Sequence, residues 1–86
     1  MNVEFTKTAQ KHISKLDVRI KSQLKSKLDI FRSDPNTPSL RQHALSGRYH
    51  GFSSINITGD YRLVFEWLDV DSINVLAIGT HSQLYG

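Results

Sequence analysis

The chain has 86 residues, 38% of them hydrophobic and 22% charged, the balance of an ordinary soluble globular domain with room for one modest core. It contains no cysteine, which excludes disulfides, thiolate zinc sites and a cysteine nucleophile, and its net charge of +3 is only a mild excess. No apolar run reaches the length of a membrane span, and Met1–Phe5 lacks the apolar core of a signal peptide, so the expectation is a cytoplasmic protein without a membrane partner.

The first element is a short strand over residues 2–5, where Val3 and Phe5 alternate with polar neighbours. Thr6 or Thr8 caps the helix that follows, and Ala9, Ile13 and Leu16 form its apolar stripe. Asp17 breaks that helix or caps a second one. Ile20, Leu24, Leu28 and Phe31 recur at spacings of four, four and three, the clearest helical signal in the chain. Asp34-Pro35-Asn36-Thr37-Pro38 ends the helix, since proline removes a donor and disfavours helix in the residue before it. Residues 39–48 read as a polar loop. From there the period changes to two. Phe52–Thr58 is a strand with Ile55 and Ile57 on one face, Gly59-Asp60 a tight turn, and Tyr61–Leu68 the next strand. Leu63, Phe65 and Trp67 share one face of it; Arg62, Val64 and Glu66 share the other. Asp69–Ser72 turns into an apolar strand over Ile73–Ile78, and Gly79–Gly86 is a polar tail. The pattern is one α+β domain over 1–86. An N-terminal strand and a two-helix hairpin pack on a mainly antiparallel sheet in the order β-α-α-β-β-β, whose other face carries polar residues free for a ligand. A chain this short has little stability to spare, so a site is expected in a shallow groove on the sheet or at its rim.

Lys7, Lys11, Lys15, Arg19, Lys21, Lys25 and Lys27 crowd the N-terminal third, followed by Arg32, Arg41, Arg48 and Arg62. One side of the molecule therefore presents a positive field to a polyanion. The C-terminal half carries the groups that metal-free RNA cleavage needs. A base takes the 2′-OH proton, an acid protonates the leaving 5′-oxygen, and positive charge steadies the phosphorane-like transition state. His43, His50 and His81 suit the proton roles, Asp60 sits in a turn, Arg62 can fork onto a phosphate, and Tyr85 can stack on a base. Asn56 and Arg62 come close across the Gly59-Asp60 turn.

The stretches His43-Ala44-Leu45-Ser46-Gly47, Ile55-Asn56-Ile57-Thr58-Gly59-Asp60-Tyr61-Arg62-Leu63-Val64-Phe65 and Gly79-Thr80-His81-Ser82-Gln83-Leu84-Tyr85 resemble the RelE/ParE toxin superfamily. Within it, the ending Gly-Thr-His-Ser-x-Leu-Tyr and the loop His-x-Leu-Ser-Gly are most similar to the YafQ branch. The resemblance implies a RelE-like fold, a helical hairpin over an antiparallel sheet. It also implies the toxin of a type II toxin–antitoxin system: an endoribonuclease that cuts mRNA on the ribosome, without metal or cofactor, and is neutralised by a cognate antitoxin. By the same resemblance His43 matches a catalytic loop histidine, Asp60 the branch's acidic residue, His81 its C-terminal histidine and general acid, Tyr85 an aromatic that contacts RNA, and Arg62 the arginine that meets the phosphate. Asp60 and His43 both remain open as the base. Asn56 stands where the branch has a second histidine; it can hold a phosphate oxygen but cannot shuttle a proton. Tyr61 stands where the branch has tryptophan, and His81 roughly where the RelE branch has an arginine. Asn56, Tyr61, Arg48 and His50 complete the set as RNA-binding residues.

Plainer readings exist for each residue. His12 reads as a packing or surface histidine, His50 as a solvated loop residue, Asp60 as a turn former, and Arg62 as a partner of Glu66. Phe31, Phe65 and Trp67 are core. The scattered histidines lack a close pair that would hold a metal. Two rival functions share the fold: a ParE-like inhibitor of DNA gyrase, which needs no histidine, and a weakened member that serves as an antitoxin-bound repressor.

Overall fold

The computed structural model describes residues 1–85; Gly86, the end of the polar tail, lies outside them. β1 (Asn2–Phe5) leads into α1 (Lys7–Ser14), and Thr6 caps it, its hydroxyl accepting from the Ala9 N–H at 3.1 Å. Asp17 caps rather than breaks: its carboxylate accepts from the Ile20 N–H at 2.9 Å at the start of α2 (Val18–Ser33). Ile20, Leu24, Leu28 and Phe31 are all buried, so the apolar stripe is the face that α2 turns to the sheet. At Asp34 the backbone turns extended ahead of Pro35, where the helix was expected to stop.

β2 (His43–Ala44), β3 (Ser53–Asn56), β4 (Tyr61–Asp69) and β5 (Ser72–Thr80) complete a sheet of five strands in the order β1-β5-β4-β3-β2. β1 runs parallel to β5; every other pair is antiparallel. Leu63, Phe65, Ile73, Val75 and Ile55 meet Ala9, Leu24, Leu28 and Phe31 in the main core. At its centre Phe31 and Phe65 pack edge to face with ring centroids 5.2 Å apart. His12 joins the layers, its Nδ1 accepting from the Ile78 N–H at 3.1 Å where β5 has run past the end of β1. It is a packing histidine.

Five features differ from the sequence expectation. The loop over 39–48 is partly ordered into the 3₁₀ turn Pro38–Leu40 and the edge strand β2, and a second 3₁₀ turn, Gly47–Tyr49, follows. β3 is shorter than Phe52–Thr58 because Ile57 and Thr58 leave the ladder to donate their N–H groups to the Tyr61 carbonyl. β5 runs on to Thr80, and the tail folds into a short helix, α3 (His81–Tyr85). The second face of the sheet is not wholly polar: Val64, Ala77 and Leu84 form a small apolar cluster there with Leu45, Tyr49 and Phe52. Finally, Trp67 is 37% exposed although one side of its ring packs on Phe31 with centroids 5.6 Å apart; its indole N–H donates to Gln42 Oε1 at 3.2 Å.

Candidate active site

The second face owes its shape to the register of the strands. His43 of β2 pairs with Ser54 of β3, Ser54 with Val64 of β4, and Val64 with Ala77 of β5. One step along, Asn56, Arg62 and Gly79 form the next row. α3 folds back over this face at the end of β5, held down by buried Leu84. Between it and β2 lies an open groove of about 340 Å³ lined by His43, Leu45, Ser46, Ser54, Arg62, His81 and Tyr85. β2 supplies one wall, α3 the other, and β4 places Arg62 between them.

Two polar groups in the groove, His43 and Arg62, are oriented by backbone carbonyls outside it. The His43 ring lies with Nδ1 2.9 Å from the Arg41 carbonyl, so Nδ1–H donates there and, in the neutral ring, the lone pair sits on Nε2. The Ser54 hydroxyl lies 3.5 Å from that Nε2, a long contact that leaves it open to a stronger donor. Arg41 itself adopts a left-handed backbone (φ +49°), and it is the one non-glycine residue with positive φ among those described. Such a conformation costs about 1 kcal/mol or more, and here it aims a carbonyl at the histidine.

The Arg62 Nη1 donates to the Gly59 carbonyl at 3.1 Å and reaches that of Thr58 at 3.5 Å, which leaves the rest of the guanidinium facing the groove. The ion pairs among the described residues join Met1 to Asp71 and Asp29 to Lys25 and Arg32; none involves Arg62, so the pairing with Glu66 does not form. Tyr85 packs against two rings, His81 at 4.8 Å and Tyr49 at 5.5 Å between centroids. Burial lifts its hydroxyl above the ordinary phenol range; Tyr49 adds to the rise and Arg62 opposes it. Tyr85 is therefore a neutral hydrogen-bond donor at physiological pH.

Of the residues singled out in the sequence, His43, Arg62, His81 and Tyr85 come together here. Asp60 does not share their groove; it lines another of about 500 Å³ with Arg19, Gln23 and Tyr61. Tyr61 packs against the main core, on the opposite face of β4 from Arg62. Asn56 lies half-buried beside Arg62 in the ladder, without lining the groove. Arg48 stacks over Tyr49 at 5.3 Å and lines a separate depression with Thr8 and His12, and His50 is exposed at the end of the 3₁₀ turn. Several contributors were given no role at the site from the sequence: Leu45, Ser46 and Ser54 in the wall, the Arg41 carbonyl, and Tyr49, whose hydroxyl donates to the Leu84 carbonyl at 3.1 Å. The pattern Thr80-x-x-Gln83 is a capping-box signature that pointed to α3. Among the described residues no group of three His, Asp or Glu side chains is placed to hold a metal ion.

Solved structures with the same architecture include YafQ from E. coli, which is 18% identical over 99% of this chain and 98% of its own, with a TM-score of 0.82. A YoeB/ParE toxin from Agrobacterium tumefaciens is 18% identical over 94% of this chain and 99% of its own, with a TM-score of 0.76. The YafQ-like chain in the E. coli DinJ–YafQ toxin–antitoxin complex is 21% identical over 99% and 97%, with a TM-score of 0.72. Among curated proteins none matches by sequence. The family model described as the bacterial toxin of type II toxin–antitoxin system, YafQ, matches residues 1–86, so the chain belongs to the YafQ family of toxins.

Proposed function

We propose that this toxin is an endoribonuclease that cuts mRNA on the ribosome in the cytoplasm, with proton transfer and charge stabilisation supplied by its own side chains. The observation that carries the reading is the His43 ring, fixed by the Arg41 carbonyl with Nε2 free, in one groove with Arg62, His81 and Tyr85. His43 Nε2 takes the 2′-OH proton, and the 2′-oxygen attacks the neighbouring phosphorus. The bond to the 5′-oxygen breaks, and the His81 imidazolium gives that oxygen its proton. The products are a 2′,3′-cyclic phosphate and a free 5′-hydroxyl. Arg62 meets the non-bridging oxygens as charge builds, and the Tyr85 hydroxyl or ring holds the RNA. With Asp60 in a different groove, the geometry favours His43 over it as the base. Asp60, Asn56, Tyr61, Arg48 and His50 then belong to a wider RNA footprint rather than to the reacting centre.

The partner we propose is a cognate antitoxin with an acidic segment, as suits a chain bearing Lys7, Lys11, Lys15, Arg19, Lys21 and Lys25 exposed on its helices. A YafQ relative is solved with its antitoxin DinJ. The test is induction in a bacterial host followed by mapping of 5′ ends on translated messages, beside a supercoiling assay with purified gyrase. Cuts that vanish in His81→Ala support the ribonuclease. Gyrase inhibition without cuts replaces it by the ParE-like reading.

A further inference from the structure

His81 and Tyr85 stand on a helix of five residues. That is far below the roughly 12 residues at which a helix holds itself in water, so other contacts fix it. At its N-terminus the bonds are reciprocal. Thr80 Oγ1 accepts from the Gln83 N–H at 3.2 Å, and Gln83 Oε1 accepts from the Thr80 N–H at 2.9 Å. The Gln83 side chain lies back over Gly79. A Cβ at Gly79 would stand 2.9 Å from Gln83 Oε1 and 3.3 Å from Gln83 Cβ, so only glycine leaves the amide its place. Gly79 is also the residue paired with Arg62 across β4 and β5, which ties the bend to the guanidinium's strand. At the other end Tyr49 holds the Leu84 carbonyl. Gln83 points away from the reacting groove, into the depressions behind α3 that His12 also lines.

We propose that Gln83 is a positioning residue. Without touching RNA, its amide closes the turn at Thr80 and sets His81 and Tyr85 at the scissile phosphate. The proposal rests on the ribonuclease reading of the groove. Arg62 and His43 stand on the sheet and do not depend on this turn, so proton removal and charge stabilisation are separable from proton delivery by His81.

The test compares Gln83→Ala and Gln83→Glu in the full chain, assayed for RNA cleavage. Q83A is expected to lose about tenfold to a hundredfold in kcat, as a small misplacement of a catalytic group does. Its KM rises by less than its kcat falls, since Tyr85 is one of several groups that hold the RNA. Its Tm falls by at most about 8 °C, the shift one lost cap produces in a domain of this size. Q83E restores most of kcat, since glutamate serves the same place in a capping box. Were Gln83 instead an RNA contact, a carboxylate there would repel phosphate and raise KM. Full kcat in Q83A, or a Q83E as impaired as Q83A, overturns the proposal. If the wild-type chain cuts no RNA, the ribonuclease reading falls by itself, and NMR decides the positioning claim. Loss of the His81–Tyr85 ring contact in Q83A with its return in Q83E supports the claim; persistence of the contact in Q83A sinks it.

Discussion

Replacing Arg62 by alanine removes the one guanidinium in the groove and leaves the fold its strand. Of five N–H donors, those on Nη1 are spent on the Gly59 and Thr58 carbonyls, which leaves Nε and Nη2 as a two-pronged edge for the phosphate of the proposed reaction. Losing one preorganised donor to a developing oxyanion lowers kcat by about 10²–10³, or about 3–4 kcal/mol. Arg62→Ala is expected in that range. Arg62→Lys keeps the charge but not the fork, and is expected to lose about tenfold, or about 1.4 kcal/mol. The cost in stability is smaller. The tether to Gly59 is exposed, and its loss is expected to lower Tm by at most about 4–8 °C, which corresponds to roughly 1 kcal/mol. Single-turnover cleavage at saturating RNA measures the first effect and thermal unfolding the second. A kcat for Arg62→Ala within about threefold of wild type, in protein that is folded at the assay temperature, refutes the role given to Arg62.

Three further outcomes are expected. His43→Ala loses about 10²–10⁴ in kcat in single-turnover cleavage; a loss under about threefold in folded protein assigns the base elsewhere. Tyr85 ionises later than an exposed phenol because its folded-state value is raised above the ordinary 10.0, so its contribution to stability is complete below that pH and is lost as pH rises through the raised value. Ultraviolet difference titration of wild type against Tyr85→Phe checks this, and an early-titrating Tyr85 contradicts it. Phe31→Ala empties a fully buried site against Phe65 and costs about 3–5 kcal/mol, a large share of the roughly 5–15 kcal/mol available; denaturant unfolding with a loss under about 1 kcal/mol contradicts the core assignment.

The parts legible in the sequence are those with a repeating burial pattern or a local breaker. Ile20, Leu24, Leu28 and Phe31 announce α2 because one face of a long helix is buried against one surface, and Pro35 announces its end. The Tyr61–Leu68 alternation announces β4 for the same reason. The pieces that escaped are short and held from a distance. β2 is two residues long, and α3 depends on Leu84 entering a cluster made by Val64 and Ala77 and on Tyr49 reaching the Leu84 carbonyl. A two-residue strand has no pattern to read, and the one local sign of α3 is its Thr80-x-x-Gln83 cap. The site divides in the same way. Family resemblance nominated His43, Arg62, His81 and Tyr85, and strand register brings them together. The direction of Asp60 was not legible, because the Thr58 hydroxyl, accepting from the Asp60 and Tyr61 N–H groups, sets how the turn leaves the sheet.

The parallel pairing of Asn2–Phe5 with Ser72–Val75 joins segments some seventy residues apart, and the groove draws one wall from His43–Ser46 and the other from His81–Tyr85. A chain still being synthesised therefore lacks both the full five-stranded sheet and the complete groove until residues 72–85 have emerged. Whatever activity the groove houses is therefore acquired late in synthesis, once all five strands are available to pair.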